Sequence, residues 1–253
     1  MKKIKLTAVL LIAALFLSAV CGCSAAKKSA GTLSLATSAD FPPYEFYDGE
    51  DIVGIDIEIA QAVAAYLGLE LSIEDMDFNA IVPAVQNGKF DIGMAGLTVN
   101  DERELVVDFS DSYATGIQAV IVPEGSPITS CDDLFDNIGS YKIGVQLSTT
   151  GDIYACDDFG AENVEEYSKG ADAILALTTG KIDAVIIDRE PAKAFIAANE
   201  GLKLLDTEYA VEDYAIIVSE GNTELCSKIN SALAALKADG TIDKIVAKYI
   251  NAD

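Results

Sequence analysis

The chain has 253 residues, which allows one large domain or two smaller ones, and a formal net charge of −24 at pH 7. So acidic a surface repels phosphate backbones, which excludes DNA and RNA binding. The sequence contains no histidine, which excludes Ser-His and Cys-His nucleophilic catalysis and removes the commonest metal ligand.

The first residues predict export. Three lysines precede an apolar run from Leu6 to Val20, shorter than the ~20 residues that span a bilayer and typical of a signal peptide. The following Val-Cys-Gly-Cys resembles a bacterial lipobox in which Cys23 carries the lipid. Residues 1–22 would be the signal peptide and residues 23–32 a flexible tether. The alternative is an ordinary cleaved signal with incidental cysteines.

A diacylglycerol on Cys23 is a two-chain anchor, which holds a domain durably at a membrane surface. We therefore expect an extracytoplasmic location, either lipid-anchored to the outer face of the cytoplasmic membrane or periplasmic.

Three further cysteines, Cys131, Cys156 and Cys226, match no zinc-binding spacing. Because the expected compartment is oxidising, one disulfide with one free thiol is one expectation, and three unpaired thiols are the other. We expect no metal and no cofactor.

The first half of the chain predicts alternating strands and helices. Residues 32–37 alternate like a strand and lead into a loop at 38–51 that is rich in proline and aromatic residues. An amphipathic helix then ends at Gly68. The remaining predicted elements are the strand 69–75, a short helix capped by Asp77, the strand 90–96, a helix capped by Asn100, the strand 117–123 and a short helix before residue 137.

The alternation restarts near Tyr141, which predicts α/β architecture with parallel strands. The predicted elements are the strand 141–146, a helix from Thr149 to Asp157, the strand near 162–167, the helix 170–179, the strand 182–187, the helix 191–201, the strand 213–219 and two terminal helices within 223–250.

One phrase occurs twice, as GKFDIGMAG at 88–96 and GKIDAVIID at 180–188, each time after an apolar helical run. The repetition predicts two similar α/β lobes. The alternative is chance similarity of a common helix–turn–strand unit.

Ligands of open α/β sheets bind beyond the carboxyl ends of the strands. After the first repeated strand come Ala95, Gly96 and Thr98, with Arg103 close behind, and the second strand ends in Asp188. A guanidinium binds a carboxylate bidentately, and a carboxylate accepts from an ammonium, so the pair suits a zwitterion. The alternatives are a solvated charge for Arg103 and a helix cap for Asp188.

From about Leu33 to the C-terminus, the chain resembles the extracellular solute-binding proteins (family 3) of polar amino-acid ABC transporters. The segments that carry the resemblance are ATSADFPPYEF, IVGIDIEIAQAVAAYLG, MDFNAIVPAVQNGKFDIGMAGLTVNDER, VDFSDSY, IGVQLSTTGD, GKIDAVIIDREPA and INSALAALKADGTIDKI.

The resemblance implies a periplasmic-binding-protein-like α/β fold of two lobes, each a mostly parallel sheet flanked by helices, with two hinge crossings. Lobe 1 would comprise residues 33–117 plus 215–253, and lobe 2 residues 118–214, with crossings near 117–122 and 211–215. It also implies a monomer that closes on an amino acid and presents the closed form to the membrane subunits of an ABC permease.

The resemblance further assigns roles to single residues. Arg103 would bind the ligand α-carboxylate with donors at Gly96, Thr98 and Thr150, and Asp188 would take the α-ammonium. Phe41 and Phe78 would wall the side-chain pocket, with Ala95 and Tyr44 nearby. Core packing is the alternative for the two phenylalanines.

Two positions depart from the family pattern. Ser38 stands where binders of basic amino acids and of glutamine often carry an acid, although Asp40 and Glu45 are close in sequence. Ser148 stands where glycine is usual. A neutral amide at Gln146 favours a polar, uncharged ligand such as glutamine or cystine.

Two other functions are alternatives. A dehydratase-like enzyme on the same fold would use Glu45, Asp77 or Asp188 for acid–base chemistry. A ligand-sensing partner of a membrane receptor would use the same binding site without transport.

Overall fold

The computed structural model describes residues 31–250. The predicted signal peptide, Cys23 and most of the tether lie outside the described residues. Among the residues that are described, no helix combines the length and apolarity needed to cross a membrane.

The described strands, in chain order, are β1 (Thr32–Thr37), β2 (Asp40–Phe41), β3 (Glu45–Asp48), β4 (Asp51–Val53), β5 (Glu70–Asp75), β6 (Ile92–Gly93), β7 (Val107–Phe109), β8 (Ala114–Pro123), β9 (Ile143–Gln146), β10 (Val164–Tyr167), β11 (Ala184–Asp188), β12 (Leu202–Leu204), β13 (Ala210–Tyr214) and β14 (Ile217–Ser219).

The described helices are α1 (Ile55–Leu67), α2 (Phe78–Gln86), α3 (Asp101–Glu104), α4 (Cys131–Asp136), α5 (Thr150–Phe159), α6 (Gly170–Thr178), α7 (Arg189–Ala198), α8 (Thr223–Ala238) and α9 (Thr241–Tyr249). The predicted helices are thus present, with ends that differ by a few residues.

Two sheets form the framework and confirm the predicted two-lobed α/β fold. The first has the strand order β5-β1-β6-β14-β7, and the second β10-β9-β11-β8-β12 with β13 also paired to β8. β1 is parallel to β5 and β6, and β9 is parallel to β10 and β11. β8 pairs antiparallel with β11 and β13, and β14 pairs antiparallel with β6, so both sheets are mixed.

Helices cover both faces of each sheet. Successive residues of a strand point to opposite faces, so neighbouring residues pack against different helices. In β1, Leu35 packs with α1, α8 and α9, whereas Ala36 packs with α2. In β8, Val120 packs towards α4 and α5, whereas Ile121 packs towards α6 and α7. Each lobe is therefore a three-layer sandwich with its own apolar core.

The chain passes between the sheets twice, before β8 and after β13. These two strands pair antiparallel, from Ala114 opposite Tyr214 to Gln118 opposite Ala210. The sheet changes between Phe109 and Ala114, so the predicted crossing near 117–122 falls inside β8. The predicted lobe bounds stay a prediction.

Two local predictions were wrong. Residues 213–219 do not form one strand, because the chain changes sheets at Ala215 and Ile216, between β13 and β14. The segment 38–51 is not a plain loop but contains the antiparallel β2-β3-β4 sheet. The two-residue turn between β3 and β4 begins with Gly49, whose φ of 66 suits the first central position of a tight hairpin turn.

The repeated phrase has the same structure both times. Gly88 and Gly180 end α2 and α6 in the left-handed region, with φ 69 and φ 70. The amide N–H of Lys89 donates to the carbonyl of Ala84, as Lys181 does to Ala176, both at 2.9 Å. With the bond from each glycine, this is the Schellman arrangement of a helix end.

The aspartate of each repeat fastens its strand to the neighbouring one. Asp91 accepts from the amide of Ser34 and Asp183 from that of Lys142, both at 2.8 Å. In return, each aspartate amide donates to the same neighbour's carbonyl. The repetition therefore builds one helix–turn–strand unit in each lobe.

We predict that Gly88→Ala and Gly180→Ala each lower the free energy of unfolding by about 1 kcal/mol. An added Cβ meets nothing within 4 Å at either position, so the loss reports backbone strain alone. Urea unfolding followed by circular dichroism measures it. Gly88→Asn is the control and should lose less, because asparagine tolerates this conformation better. Unchanged stability in both alanine variants would contradict the prediction.

Candidate functional site

A cavity lies between the lobes, at the carboxyl ends of β1, β6, β9 and β11, where the sequence predicts a ligand site. It holds about 450 Å³ of space, counted with the solvent at its mouth. The lining residues are Ser38, Asp40, Phe41, Glu45, Phe78, Ala95, Gly96, Thr98, Arg103, Gln118, Gln146, Thr149, Thr150, Ile186, Ile187 and Asp188.

Of the residues predicted to bind a ligand, the cavity brings together all but Tyr44. Tyr44 is buried behind the wall, where its ring stacks on Phe41 at 5.8 Å and meets Tyr214 edge-on at 5.3 Å between centroids. It therefore supports the aromatic wall rather than forming it. The ligand contacts of the lining residues stay a prediction.

Arg103 is buried, with 8% of its surface exposed, so the alternative of a solvated charge does not hold. Asn100 caps α3 by accepting from the Arg103 amide at 2.8 Å, which fixes the backbone below the guanidinium. Nη1 donates to the Thr98 carbonyl at 2.8 Å and Nη2 to the Ser148 carbonyl at 3.1 Å. The Phe78 ring lies 5.5 Å from Cζ, a cation–π distance.

Burial lowers the pKa of Arg103, and the Glu212 carboxylate opposes that shift. An arginine stays charged in proteins at any ordinary pH. Two of its five N–H donors bind main-chain carbonyls, so the others remain for an anion in the cavity.

Ser148 joins the lobes through its backbone. Its φ of 65 lies in the left-handed region, which explains why glycine would suit this position. The amide of Ser148 donates to Asp152 Oδ2 at 2.9 Å, and the carbonyl accepts from Arg103. The hydroxyls of Thr98 and Thr150 also meet across the cleft, at 3.4 Å. The structure is therefore a closed arrangement of the lobes.

Asp188 stands at the N-cap position of α7 but makes no side-chain capping bond. Its carboxylate instead accepts from the Ile117 amide at 3.0 Å and from Gln118 Nε2 at 2.7 Å. Burial raises the pKa of Asp188 to about 7, although the Tyr214 hydroxyl opposes the shift. A cationic partner beside Asp188 would favour its ionised form.

Gly96 has a different role from the one predicted. Its amide N–H already donates to Asp56 Oδ2 at 2.9 Å, so it is not a free donor for a ligand. Its φ of 53 and the Phe41 ring, 3.0 Å from where a Cβ would stand, make glycine necessary there. Gly96 therefore lets the Phe41 ring pack close to the backbone of the cavity wall.

Sequence reasoning missed two buried polar residues on the crossing strands. Gln118 Nε2 donates to both Asp188 and Glu212, at 2.7 and 3.0 Å, and Glu212 also accepts from the Thr98 hydroxyl at 3.2 Å. This network ties the floor of the cavity to β8 and β13. The available signal was a glutamine in the otherwise apolar run of β8.

A pair of buried acids lies under the lobe 1 wall. Glu45 and Asp56 are both fully buried. Asp56 accepts from the Tyr113 hydroxyl at 2.7 Å and from the Gly96 amide, and the Glu45 carboxyl lies within hydrogen-bonding reach of the Asp56 carboxyl. Burial raises the pKa of Glu45 well above its usual value, and the pKa of Asp56 to about 6.

Comparison with known proteins identifies the family. Residues 33–252 match the model of the bacterial extracellular solute-binding proteins, family 3. The chain belongs to this family. The resemblance read from the sequence is thereby confirmed.

Three similar proteins show how far the likeness extends. The solute-binding protein is 30% identical over 245 residues to the arginine-binding extracellular protein ArtP of Bacillus subtilis (strain 168), covering 94% of each chain. It superposes on an ancestral arginine-binding protein bound to glutamine with a TM-score of 0.81 and 39% identity, covering 88% of this chain and 99% of that one. The ancestral amino-acid-binding protein AncCDT-1, a precursor of cyclohexadienyl dehydratase, gives 0.79 and 34%, covering 87% and 95%.

We predict that the ligand-free protein is less stable at pH 7 than at pH 5. The pKa values of Asp56 and Asp188 rise from 3.8 to about 6 and about 7 on folding. The folded state thus holds protons that the unfolded chain has released, and the free energy of unfolding falls by up to ~1.4 kcal/mol per pH unit for each group.

Urea unfolding at pH 5, 6, 7 and 8 measures this slope. Carboxyls whose pKa is lowered, such as Glu58 and Glu224, act below this window. Asp188→Asn should flatten the slope. Stability that increases from pH 5 to pH 7 would contradict the assignment.

Proposed function

We propose that this protein captures an amino acid for an ABC importer and holds it as a zwitterion between two closing lobes. The observation that carries the proposal is that one cavity contains a buried guanidinium from lobe 1 and a buried carboxylate from lobe 2. Arg103 would take the α-carboxylate and Asp188 the α-ammonium.

The geometry around Arg103 supports an α-carboxylate partner. Its two recorded partners are neutral main-chain carbonyls, and a fixed guanidinium fork binds carboxylate at two points. The hydroxyl of Thr150, from the opposite lobe, would add a donor at the same end, whereas the Thr98 hydroxyl already donates to Glu212. Asp188 would complete the site from the other end, where it already accepts from β8.

The aromatic rings support the binding of an aliphatic stem. Phe41 and Phe78 line the cavity on the lobe 1 side, and Ile187 lines it on the lobe 2 side. Apolar walls with few polar groups are usual for small-ligand sites, where the polar groups fix orientation. The α-carbon would thus be held at the polar end and the side chain between the rings.

Closure would follow binding. The bond from Arg103 to the Ser148 carbonyl and the contact between Thr98 and Thr150 join the lobes beside the proposed ligand position. A ligand that touches both lobes favours the closed form over the open one by its differential affinity. The closed form is what the permease membrane subunits would recognise.

The remaining parts of the proposal come from the sequence and the family. Cys23 would carry a lipid that anchors a monomer to the outer face of the cytoplasmic membrane. Membership of an extracellular family supports a location outside the cytoplasm. The enzyme alternative is not proposed, because the relatives above are named as binding proteins and Asp77 does not line the cavity.

We predict that Arg103→Ala weakens amino-acid binding at least about a hundredfold, because it leaves a buried carboxylate without its partner. A thermal-shift screen of the twenty amino acids with cystine and ornithine finds the ligand, which raises the melting temperature. Isothermal titration calorimetry then measures the dissociation constant of each variant.

Arg189→Ala is the matched control, because that guanidinium pairs with Glu208 at 3.1 Å and does not line the cavity. Its affinity should equal that of the unmodified protein. Equal binding by the Arg103 and Arg189 variants would remove Arg103 from the site.

A further inference from the structure

A buried acid lies behind the proposed site, on the strand after which the chain returns to the first sheet. Residues of β13 alternate, so that Glu212 and Tyr214 are buried whereas Val211 and Asp213 are exposed. Glu212 is 5% exposed and does not line the cavity. A carboxylate is costly to bury unless hydrogen bonds satisfy it, so the partners of Glu212 indicate what it does.

One oxygen of Glu212 joins two residues of the cavity lining. Its Oε2 accepts from the Thr98 hydroxyl at 3.2 Å and from Gln118 Nε2 at 3.0 Å. Both donors are buried and line the cavity, and hydrogen bonds are stronger in such surroundings than in water. Glu212 therefore fixes two side chains of the cavity wall from outside the cavity.

Each of these two residues also holds one charged group of the site. The Thr98 carbonyl accepts from Arg103 Nη1 at 2.8 Å. Gln118 Nε2, which carries two hydrogens, also donates to Asp188 Oδ2 at 2.7 Å. Glu212 is thus one residue removed from the guanidinium and one residue removed from the carboxylate that would bind the two α-groups.

Main-chain bonds hold the same parts of the site. The Ala215 amide donates to the Leu97 carbonyl at 3.1 Å, which attaches the lobe 1 side of the site to the end of β13. The Ile117 amide on β8 donates to Asp188 at 3.0 Å. Because β8 and β13 are paired, the two charged groups are attached to neighbouring strands, and Glu212 adds side-chain bonds between them.

We propose that Glu212 is a positioning residue that makes the site selective for α-amino acids over β-amino acids. The inference rests on the proposed function and names a determinant of its substrate class. In an α-amino acid one carbon bears both the carboxylate and the ammonium, whereas a β-amino acid has one more methylene between them. Two charged groups held at a fixed separation match the shorter ligand and do not adjust to the longer one.

The role requires an acceptor oxygen at position 212 rather than a charge. Glutamine there would keep an oxygen that can accept from Thr98 and Gln118, whereas methionine has a similar length and only a weak sulfur acceptor. With methionine, the Thr98 hydroxyl and the Gln118 amide would each lose a fixed partner. Both charged groups would then adjust more easily to a longer ligand.

The test compares an amino acid with its β-homologue, which keeps the side chain and adds one methylene before the carboxylate. Isothermal titration calorimetry on refolded, ligand-free protein uses L-glutamine with L-β-homoglutamine and L-arginine with L-β-homoarginine, then the same kind of pair for the amino acid found by the thermal-shift screen. We expect the α-amino acid to bind at least about tenfold more tightly. In Glu212→Met this ratio should fall to about threefold or less, and Glu212→Gln should keep the ratio of the unmodified protein.

Glu165→Met is the matched control, the same substitution at an exposed position of β10, in the same sheet and outside the cavity. Its ratio should equal that of the unmodified protein. If circular dichroism shows that Glu212→Met does not fold, Thr98→Val takes its place, because it removes one of the same bonds from the other side and should also lower the ratio.

A purely structural role would weaken the binding of both homologues equally. An unchanged ratio in Glu212→Met, or in Thr98→Val where that variant replaces it, therefore overturns the proposal. A ratio in Glu212→Gln as low as in Glu212→Met, or equal binding of both homologues by the unmodified protein, overturns it as well. Binding of no amino acid at all overturns the proposed function itself.

Discussion

The structure depends on one buried positive charge held by backbone from both lobes. The guanidinium of Arg103 binds the carbonyl of Thr98 in its own lobe and that of Ser148 in the other. Each neutral acceptor satisfies a donor without cancelling the charge. The cation therefore remains electrostatically available inside a cleft whose other charged lining residues, among those described, are acids, and the cleft has a positive end and a negative end.

The buried acids at the negative end of the cleft affect the stability of the empty protein. Burying Glu45, Asp56 and Asp188 without a cation destabilises the empty protein, and protons offset part of that loss. A group that is unfavourable in the empty state gains most when its partner arrives. A ligand ammonium at Asp188, as proposed above, would offset part of that loss.

Much of the fold and of the cavity could be predicted from the sequence, because local patterns decide it. Hydrophobic periodicity and helix-ending glycines such as Gly68 and Gly180 place the elements, and parallel strands bring their carboxyl ends to one edge. That edge gathers Arg103 and Asp188. The aspartate bonds of the repeat give the physical reason for its recurrence.

What the sequence could not supply depends on pairing between distant segments. The antiparallel β8 and β13 join residues about a hundred positions apart, so no local pattern reveals that Gln118 and Glu212 share a hydrogen bond. The bond from Gly96 to Asp56 joins residues 40 positions apart and changes the role of the glycine. The apolar run 213–219 looks like one strand because burial continues while the sheet changes.

The contact between Arg103 and position 148 has a consequence for natural variation. The acceptor is a main-chain carbonyl, which no codon change can delete, so the chemical identity of the side chain at 148 is of secondary importance. The feature that selection must preserve is the left-handed backbone conformation at 148. Glycine, asparagine, aspartate and serine adopt it more easily than β-branched residues do. Divergent descendants of this protein would therefore exchange small and polar residues at 148 while keeping the arginine that reaches it.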